Sequence, residues 1–197
     1  RADAFQKEFG NRFIDIGVAE QNMATVAAGM AGYGKIPFIT SYATFSPGRN
    51  WEQIRTTIAI NDVPVVVCGS HAGLLTGPDG ATHQALEDIA MMRAMPNMIV
   101  ISPCDSEEAR KATIAAAKVG KPVYLRLARD KTPVMTTADT AFAIGKAQVF
   151  WKSENPQVAI FATGPLTHNA LLAARELEGK GIGTAVVNVH TIKPLDK

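Results

Sequence analysis

Apolar, β-branched runs alternate along this chain with segments of helical periodicity, and this alternation constrains its fold more than any other feature. The strand-like runs cover residues 12–17, 36–41, 63–69, 98–102, 123–128, 147–151, 157–163 and 184–190. The helix-like segments cover residues 20–32, 47–60, 83–95, 106–119 and 166–179. Several runs are apolar throughout, which is typical of strands that are covered on both faces. The pattern therefore predicts an α/β protein with a doubly wound parallel sheet.

Two of the predicted helices begin with recognisable capping residues. Ser46 stands before Pro47, which indicates an N-cap followed by proline at the first helical position. Asp105 precedes the segment 106–119, and Glu108 follows Asp105 at the spacing of a capping box. We therefore expect these helices to begin at residues 47 and 106.

A polar stretch at residues 130–143 divides the chain. It is rich in threonine, contains Pro133 and has no clear period, which is typical of a linker between domains. We expect one domain at residues 1–130, a linker at 131–143 and the beginning of a second domain at 144–197. That second segment holds one complete strand–helix–strand unit and is expected to be incomplete. Because the chain begins with Arg1 rather than Met, we expect it to be a piece of a larger protein or one half of a split protein.

Composition excludes several classes of protein. Apolar residues make up 47% and charged residues 19%, which excludes a disordered chain. The net charge of +2 provides no broad basic field for nucleic acid, and no uncharged apolar run is long enough to span a membrane. The two cysteines, Cys68 and Cys104, exclude a disulfide scaffold and fit a reducing, cytoplasmic setting.

Two of the predicted strand-to-helix connections carry polar or aromatic residues that suit a ligand site. Glu20 follows the first strand-like run at the start of an apolar helix, where it either interacts with the helix dipole or meets a ligand nitrogen. Phe45 and Arg49 follow the second run. Phe45 is either a core residue or a ring beside a ligand, and Arg49 is either solvated or faces an anion. Residues of both segments lie where parallel sheets place ligands.

The third connection, at residues 69–84, is the most unusual. It holds four glycines, Asp79 and two of the four histidines of the chain, His71 and His83. The spacing does not suit zinc, whereas histidines on a polar loop suit hydrogen bonding to hydroxyls or phosphate, or proton transfer near neutral pH. A purely structural loop is the alternative.

The remaining candidate residues lie elsewhere in the chain. Arg129 follows a later strand and either reaches an anion or faces solvent. His168 and His190 are expected in surface or capping positions.

Taken together, these segments resemble the transketolase family. The resemblance covers Phe13 to the C-terminus and rests on motifs in matching order and spacing: Gly17-Val18-Ala19-Glu20-Gln21-Asn22, Thr44-Phe45, Gln53-Ile54-Arg55, Gly69-Ser70-His71-Ala72-Gly73, Gly77-Pro78-Asp79-Gly80-Ala81-Thr82-His83-Gln84, Leu86-Glu87-Asp88, Met92-Arg93, Pro96-Asn97 and Thr191-Ile192-Lys193-Pro194-Leu195-Asp196. The first motif and its Ala-rich helix are similar to the pyrimidine-binding domain of transketolase-like thiamine diphosphate enzymes. The loop with Asp79 and the C-terminal motif point to transketolase or to the C-terminal subunit of a split transketolase.

The resemblance implies a cofactor site. Glu20 matches the glutamate that hydrogen-bonds N1′ of the aminopyrimidine and favours the tautomer that activates the thiazolium carbon. Phe45 matches an aromatic residue that packs on the pyrimidine ring. Many transketolases have further aromatic residues after that position, whereas here Trp51 is the next ring, so we expect Trp51 to contribute to the cofactor pocket.

The resemblance also implies a substrate site. His71, Asp79 and His83 match polar groups that orient ketose hydroxyls, and the two histidines assist proton transfer. Arg129 matches an arginine that holds the substrate phosphate, and Arg49 is a second candidate to face an anion. The implied reaction moves a two-carbon ketol unit from a ketose phosphate to an aldose phosphate, as in the pentose phosphate pathway.

One element of the family is missing from this sequence. The diphosphate-and-metal site carries a Gly-Asp-Gly…Asn motif on a separate domain, whereas Pro78-Asp79-Gly80 matches the substrate loop instead. We therefore predict no metal ligand in this chain, and expect the ligands of Mg²⁺, or Ca²⁺, on a partner. The implied partner is an N-terminal transketolase subunit, in an assembly built on a homodimer of this chain or in a heterotetramer.

Three alternative functions stay open. A 1-deoxyxylulose-5-phosphate synthase keeps a similar loop around Asp79 and His83. The beta subunit of a 2-oxo acid dehydrogenase keeps a helix similar to the one that begins at Glu20, but usually lacks that loop. A non-catalytic assembly subunit of the same fold is the third alternative, and the joint presence of Glu20, His71, Asp79 and His83 counts against it.

Overall fold

The computed structural model describes residues 2–197 as an α/β protein with two sheets. The helices are α1 (Ala2–Glu8), α2 (Glu20–Gly32), α3 (Trp51–Gln53), α4 (Asp88–Ala94), α5 (Ser106–Lys118) and α6 (Leu166–Gly179). The strands are β1 (Phe38–Tyr42), β2 (Val66–Ser70), β3 (Ile99–Ile101), β4 (Val123–Arg126), β5 (Gln148–Lys152), β6 (Val158–Ala162), β7 (Thr184–Asn188) and β8 (Thr191–Lys193). A π-helical segment, Ile54–Ala59, continues α3, and Gly10–Arg12 and Leu74–Asp79 are 3₁₀ segments.

The larger sheet has the order β1-β2-β4-β3-β8, and its first four strands run parallel. The central strands β2, β3 and β4 are apolar on both faces because helices cover both, whereas the edge strand β1 leaves Phe38 and Thr40 exposed. Val65 and Val67 pack with residues of α2, α4 and the π-helical segment, whereas Val66 packs with Ala112 and Ala116 of α5. The predicted α/β architecture with a mainly parallel, doubly covered sheet is confirmed.

The smaller sheet has the order β5-β7-β6, with β6 parallel and β5 antiparallel to β7. Helix α6 covers it through Ala170 and Ala174, which pack with Val186 of β7. After β7 the chain returns to the larger sheet, where β8 pairs antiparallel with β3. The sequence pattern did not predict β8, because three residues carry no periodic signal of their own.

Helices α2 and α6 have the predicted bounds, and three predicted elements differ most from the structure. The predicted strand 12–17 is wrong: residues 13–19 form neither helix nor strand, and Ile14 and Val18 are exposed. The predicted helix 47–60 begins instead at Trp51, because residues 43–50 form successive turns. Ser46 is therefore not an N-cap, and its buried hydroxyl accepts from Asn50 Nδ2 at 3.2 Å. The predicted helix 83–95 shortens to α4, since loop residues extend to Glu87.

The start of α5 ties the two sheets together. Asp105 Oδ1 accepts from Glu108 N at 2.8 Å, which confirms the predicted N-cap, but Glu108 reaches Cys104 N at 2.6 Å rather than closing the box on Asp105. Glu108 Oε1 also accepts from Asn188 Nδ2 of β7 at 2.8 Å. Through these bonds the carboxyl group of Glu108 links α5 to the smaller sheet. Burial raises the pKa of this group.

Residues after β4 are ordered by the same helix start. The other oxygen of Asp105, Oδ2, accepts from Met135 N and Thr136 N, both at 2.7 Å. No helix or strand is formed between β4 and β5 in the described chain, so these bonds provide the anchoring that a regular element would otherwise supply. None of the helices within residues 2–197 is both long and apolar enough to cross a bilayer.

His190 is buried, which corrects the expectation of a surface position. Its Nδ1 lies 2.9 Å from Thr191 Oγ1, and its ring stacks on Phe142 with centroids 4.4 Å apart. Nε2 has no hydrogen-bond partner among the described residues. Burial lowers the pKa of His190 to about 4, so the folded protein holds it neutral at pH 7.

We predict that Glu108→Ala destabilises the fold by about 2–4 kcal/mol, because it leaves the Cys104 amide and the Asn188 side chain without their acceptor. Urea denaturation measures the loss. Glu107→Ala is the matched control, since Glu107 pairs with Arg110 at the surface and should change stability by less than about 0.5 kcal/mol. Equal effects of the two substitutions would contradict the role of Glu108 as a buried link.

We predict that His190 makes the protein less stable as the pH falls. The unfolded chain protonates His190 near pH 6.5 and the folded chain only at about 4, so the free energy of unfolding falls across this window by roughly 3 kcal/mol. In His190→Phe that contribution should vanish. Denaturant titrations at several pH values test this, and parallel stability curves for the two proteins would refute it.

Candidate functional site

The site is built where β1 and β2 end side by side. The two strands are parallel neighbours, and Tyr42 at the end of β1 lies opposite Ser70 at the end of β2. The turns at residues 43–50 therefore leave the sheet next to the loop at residues 71–87. This is the carboxyl edge of a parallel sheet, where backbone and side chains of adjacent connections converge.

Glu20, the first residue of α2, supplies a buried carboxylate to this edge. Its backbone oxygen accepts from Asn50 Nδ2 at 3.0 Å, which locks the start of α2 to the turns after β1. Its side chain is 9% exposed, and Oε2 accepts from Arg49 Nη1 at 2.7 Å. The N-terminus of α2 and the arginine together compensate the negative charge.

Four rings gather beside this carboxylate. Tyr42 stacks on His71 with centroids 4.0 Å apart and planes 8° from parallel. Phe45 meets His83 edge to face at 5.3 Å, and the guanidinium of Arg49 lies 4.7 Å from the centre of the Phe45 ring. Contacts therefore run without interruption from Glu20 through Arg49 and Phe45 to His83, and both histidines touch Tyr42.

The loop at residues 71–87, which carries both His71 and His83, requires glycine at several backbone positions. Gly73, Gly77 and Gly80 have positive φ angles, a conformation that side chains with a Cβ rarely adopt. His71 itself has φ +53°, which is unusual for a residue other than glycine. Thr76 stabilises this turn, because its buried hydroxyl bonds to the carbonyl oxygens of His71 and Gly73.

Hydrogen bonds assign the tautomer of His71. Ser70 donates its hydroxyl hydrogen to Ser41 O at 3.0 Å and lies 3.1 Å from His71 Nδ1. Because that hydrogen is used, Ser70 can only accept from His71, which places the ring proton on Nδ1 and leaves Nε2 free to act as a base. Burial lowers the pKa of His71, Arg129 lowers it further, and Asp79 and Asp130 raise it.

A buried network that the sequence did not indicate supports the loop from below. Asp88, 1% exposed, accepts from Tyr124 Oη at 2.7 Å and from Arg126 Nε at 2.8 Å. A Cβ at Gly69 would come within 2.3 Å of Tyr124 Oη, and one at Gly73 within 3.0 Å of Arg126 Nη2. These glycines therefore let the loop rest directly on the network.

Asp79 and Arg129 form a second ion pair at the same edge. Arg129 Nη1 lies 3.0 Å from Asp79 Oδ2 and also donates to Thr76 O. Both side chains are about one-third exposed, so the pair can exchange its contacts with solvent or a ligand. Arg129 lowers the pKa of His71 and Asp79 raises it, as their opposite charges require.

The structure brings most of the candidate residues together and places one elsewhere. Glu20, Phe45, Arg49, His71 and His83 are linked by the contacts above. Trp51, in contrast, packs against the core of the larger sheet and donates its ring N–H to Met91 O at 3.3 Å. These are the contacts of a core residue, and the assignment of Trp51 to the cofactor pocket stays a prediction.

Tyr42 was missed by the sequence analysis, although it contacts both histidines. Its only sequence signal is that it directly follows the strand-like run 36–41 and stands two residues before Thr44-Phe45. Within residues 2–197 no group of three or more histidine, cysteine, aspartate or glutamate side chains is arranged to hold a metal ion. The cluster therefore offers a carboxylate, an imidazole base, stacking rings and two arginines.

Comparison with known proteins gives the family. Residues 2–135 match the family described as transketolase, pyrimidine binding domain, and residues 145–197 match the transketolase C-terminal domain. A protein described as a transketolase C-terminal section from Methanocaldococcus jannaschii is 42% identical over 98% of this chain and 61% of its own length. The 6-deoxy-6-sulfo-D-fructose transketolase subunit SqwH of a Clostridium species is 41% identical over 98% of this chain and 59% of its own length.

A solved structure has a similar fold. A split-gene transketolase described as an inactive beta4 tetramer superimposes with a TM-score of 0.88 at 41% identity, over 98% of this chain and 61% of that one. The chain thus spans about 60% of the length of these relatives. Since the pyrimidine-binding family alone matches more than half of its residues, this chain belongs to the transketolase family.

Proposed function

We propose that this chain is the C-terminal part of a thiamine diphosphate-dependent transketolase, which transfers a two-carbon ketol unit from a ketose phosphate to an aldose phosphate. The observation that carries the proposal is the buried carboxylate of Glu20 in contact, through Arg49, with the ring of Phe45, in a cluster that also holds both loop histidines. The match to the pyrimidine-binding domain supports the cofactor. Ketol transfer of the pentose phosphate type is the corresponding reaction.

The residues around Glu20 fit the aminopyrimidine of thiamine diphosphate. A buried carboxylate and an aromatic face form a site for a flat group with an N–H edge. The planar guanidinium of Arg49 already makes both contacts, 2.7 Å to Glu20 Oε2 and 4.7 Å to the centre of Phe45. Glu20 and Phe45 would hold the pyrimidine ring. When bound, thiamine diphosphate supplies the nucleophilic carbon that carries the two-carbon unit.

Glu20 acts at the nitrogen N1′ of that ring. The Glu20 side chain is only 9% exposed, so water competes little for its carboxylate. Its hydrogen bond to a ring nitrogen is therefore strong and directional. It would hold a proton at N1′ and thereby make the amino group across the ring more readily deprotonated. The bond from Asn50 to the Glu20 backbone keeps the start of α2 in place for this role.

His71 and His83 act on the sugar. His71 presents Nε2 without a proton, and its lowered pKa keeps it neutral at pH 7, so it can accept a proton from a hydroxyl. His83, packed edge-on against Phe45, would donate to or accept from a neighbouring hydroxyl. Asp79 would accept from a sugar hydroxyl, and Arg129 and Arg49 would face the phosphate groups.

The partner we propose is an N-terminal transketolase subunit with the diphosphate-binding domain. It would provide the oxygen ligands for Mg²⁺ or Ca²⁺, and this chain would pair with it as part of a homodimer-based assembly or a heterotetramer. The tetramer of the related split-gene protein supports a multi-subunit arrangement. We place the pyrimidine-binding domain at 1–130, a linker at 131–143 and the start of the C-terminal domain at 144–197. The two free cysteines support a cytoplasmic location.

We predict that Glu20→Gln lowers ketol transfer by the assembled enzyme about 10²- to 10⁴-fold, because the neutral amide of glutamine cannot hold a proton at N1′ as the carboxylate does. A coupled assay of ketose-to-aldose transfer measures it. Glu176→Gln, at an exposed position of α6, is the matched control and should keep full activity. Glu20→Gln with turnover close to that of the unmodified enzyme, at an unchanged melting temperature, would sink the proposal.

We predict that the charges beside His71 move its pKa in opposite directions. Arg129→Met removes a nearby positive charge and should raise the pKa, whereas Asp79→Asn removes a negative charge and should lower it. Imidazole nitrogen resonances of the labelled full chain, followed as a function of pH by NMR, report this without turnover. Shifts of the same sign in the two variants would contradict the geometry described for the loop.

A further inference from the structure

Arg49 makes the two contacts that the proposed cofactor needs. Its guanidinium lies over the Phe45 ring at 4.7 Å and donates through Nη1 to Glu20 Oε2 at 2.7 Å. Glu20 and Phe45 are the two residues to which the proposed function assigns the aminopyrimidine. A second planar group therefore cannot take both contacts in the same way while this side chain stays in place.

The guanidinium of Arg49 and the aminopyrimidine of the cofactor are similar in chemistry as well as in the contacts they make. A guanidinium is flat, delocalised and cationic, and it presents N–H bonds from an N–C–N unit to a carboxylate. The N1′ edge of a protonated aminopyrimidine also presents an N–H from a flat N–C–N unit. Both stack on aromatic faces, so the pocket that holds Arg49 is suited to either group.

We propose that Arg49 is an internal stand-in for the aminopyrimidine, which occupies the pyrimidine subsite when the cofactor is absent and leaves it when the cofactor binds. The inference rests on the proposed function. The arginine keeps the buried carboxylate of Glu20 paired and covers the Phe45 ring, and the cofactor replaces both contacts.

The surroundings of Arg49 suit a side chain that moves on a fixed backbone. Its side chain is 45% exposed, so one side already faces solvent. The backbone before it is tightly packed, because a Cβ at Gly48 would lie 1.9 Å from Thr44 O. The Asn50 side chain, next in sequence, bonds to Glu20 O and Ser46 Oγ. The change therefore consists of rotations about the bonds of Arg49, which release its charge for an anionic group of the substrate.

Competition of this kind has a defined thermodynamic effect. When the binding-competent state is a fraction of the population, the apparent dissociation constant increases by the inverse of that fraction. A stand-in that occupies the subsite for about nine-tenths of the time weakens cofactor binding about tenfold. Removal of the guanidinium should recover that factor, which corresponds to about 1.4 kcal/mol.

The test compares Arg49→Met with the unmodified protein, in complex with the N-terminal subunit. Calorimetry measures the binding of thiamine diphosphate with Mg²⁺ and of the fragment 4-amino-5-hydroxymethyl-2-methylpyrimidine, which probes the pyrimidine subsite alone. We expect both to bind about tenfold more tightly to Arg49→Met. Arg49→Lys, which keeps the charge but loses the planar group, should fall between the two. Arg175→Met, an exposed arginine on α6, controls for net charge and should bind as the unmodified protein does.

The outcomes separate this inference from the proposed function. Equal or weaker binding by Arg49→Met would mean that Arg49 supports Glu20 rather than competing with the cofactor for it, and would overturn the inference. The proposed function would still stand if the unmodified complex binds the cofactor and transfers the ketol unit. Absence of cofactor binding in every variant, together with absence of ketol transfer, would overturn both. Melting curves of each variant establish that the fold is retained.

Discussion

The parallel pairing of β1 with β2 is the constraint on which the site depends. Because β2 is buried on both faces and β1 buries Ile39 against the core, the register of the pair is fixed, and Tyr42 ends opposite Ser70. That register brings the turns after β1, with Phe45 and Arg49, against the glycine-rich loop after β2, with His71 and His83. A slip by one residue would turn Tyr42 away from His71 and separate the rings.

The ion pair beneath the site is more deeply buried than the ionic groups within it. Beneath the loop, Asp88 and Arg126 form a pair that is 1% and 18% exposed, with Tyr124 as a further donor, so breaking it would leave a buried charge uncompensated. Within the site, Arg49 and the pair of Asp79 with Arg129 are about one-third to one-half exposed. Such pairs contribute little to stability and exchange partners readily. The protein thus combines a rigid support with ionic contacts that a ligand can replace.

The sequence predicted the features that local patterns encode. The Ala-rich α2, the bounds of α6 and the N-cap of α5 by Asp105 all followed from composition and spacing. Features formed by distant residues were missed. Asp88 meets Tyr124 and Arg126 across more than 35 positions, and β8 joins a sheet formed some 90 residues earlier. The late start of α3 was missed because Ser46 and Asn50 use their side chains on each other and on Glu20 rather than as helix caps.

The most direct test is the position of Glu20 in a crystal structure of this chain with the diphosphate-binding subunit, thiamine diphosphate and Mg²⁺. Our account predicts a Glu20 carboxylate oxygen within hydrogen-bonding distance of N1′, about 2.6–3.2 Å, with Phe45 against the pyrimidine ring. A cofactor bound with its pyrimidine remote from Glu20, or a Glu20 side chain directed into solvent, would contradict it.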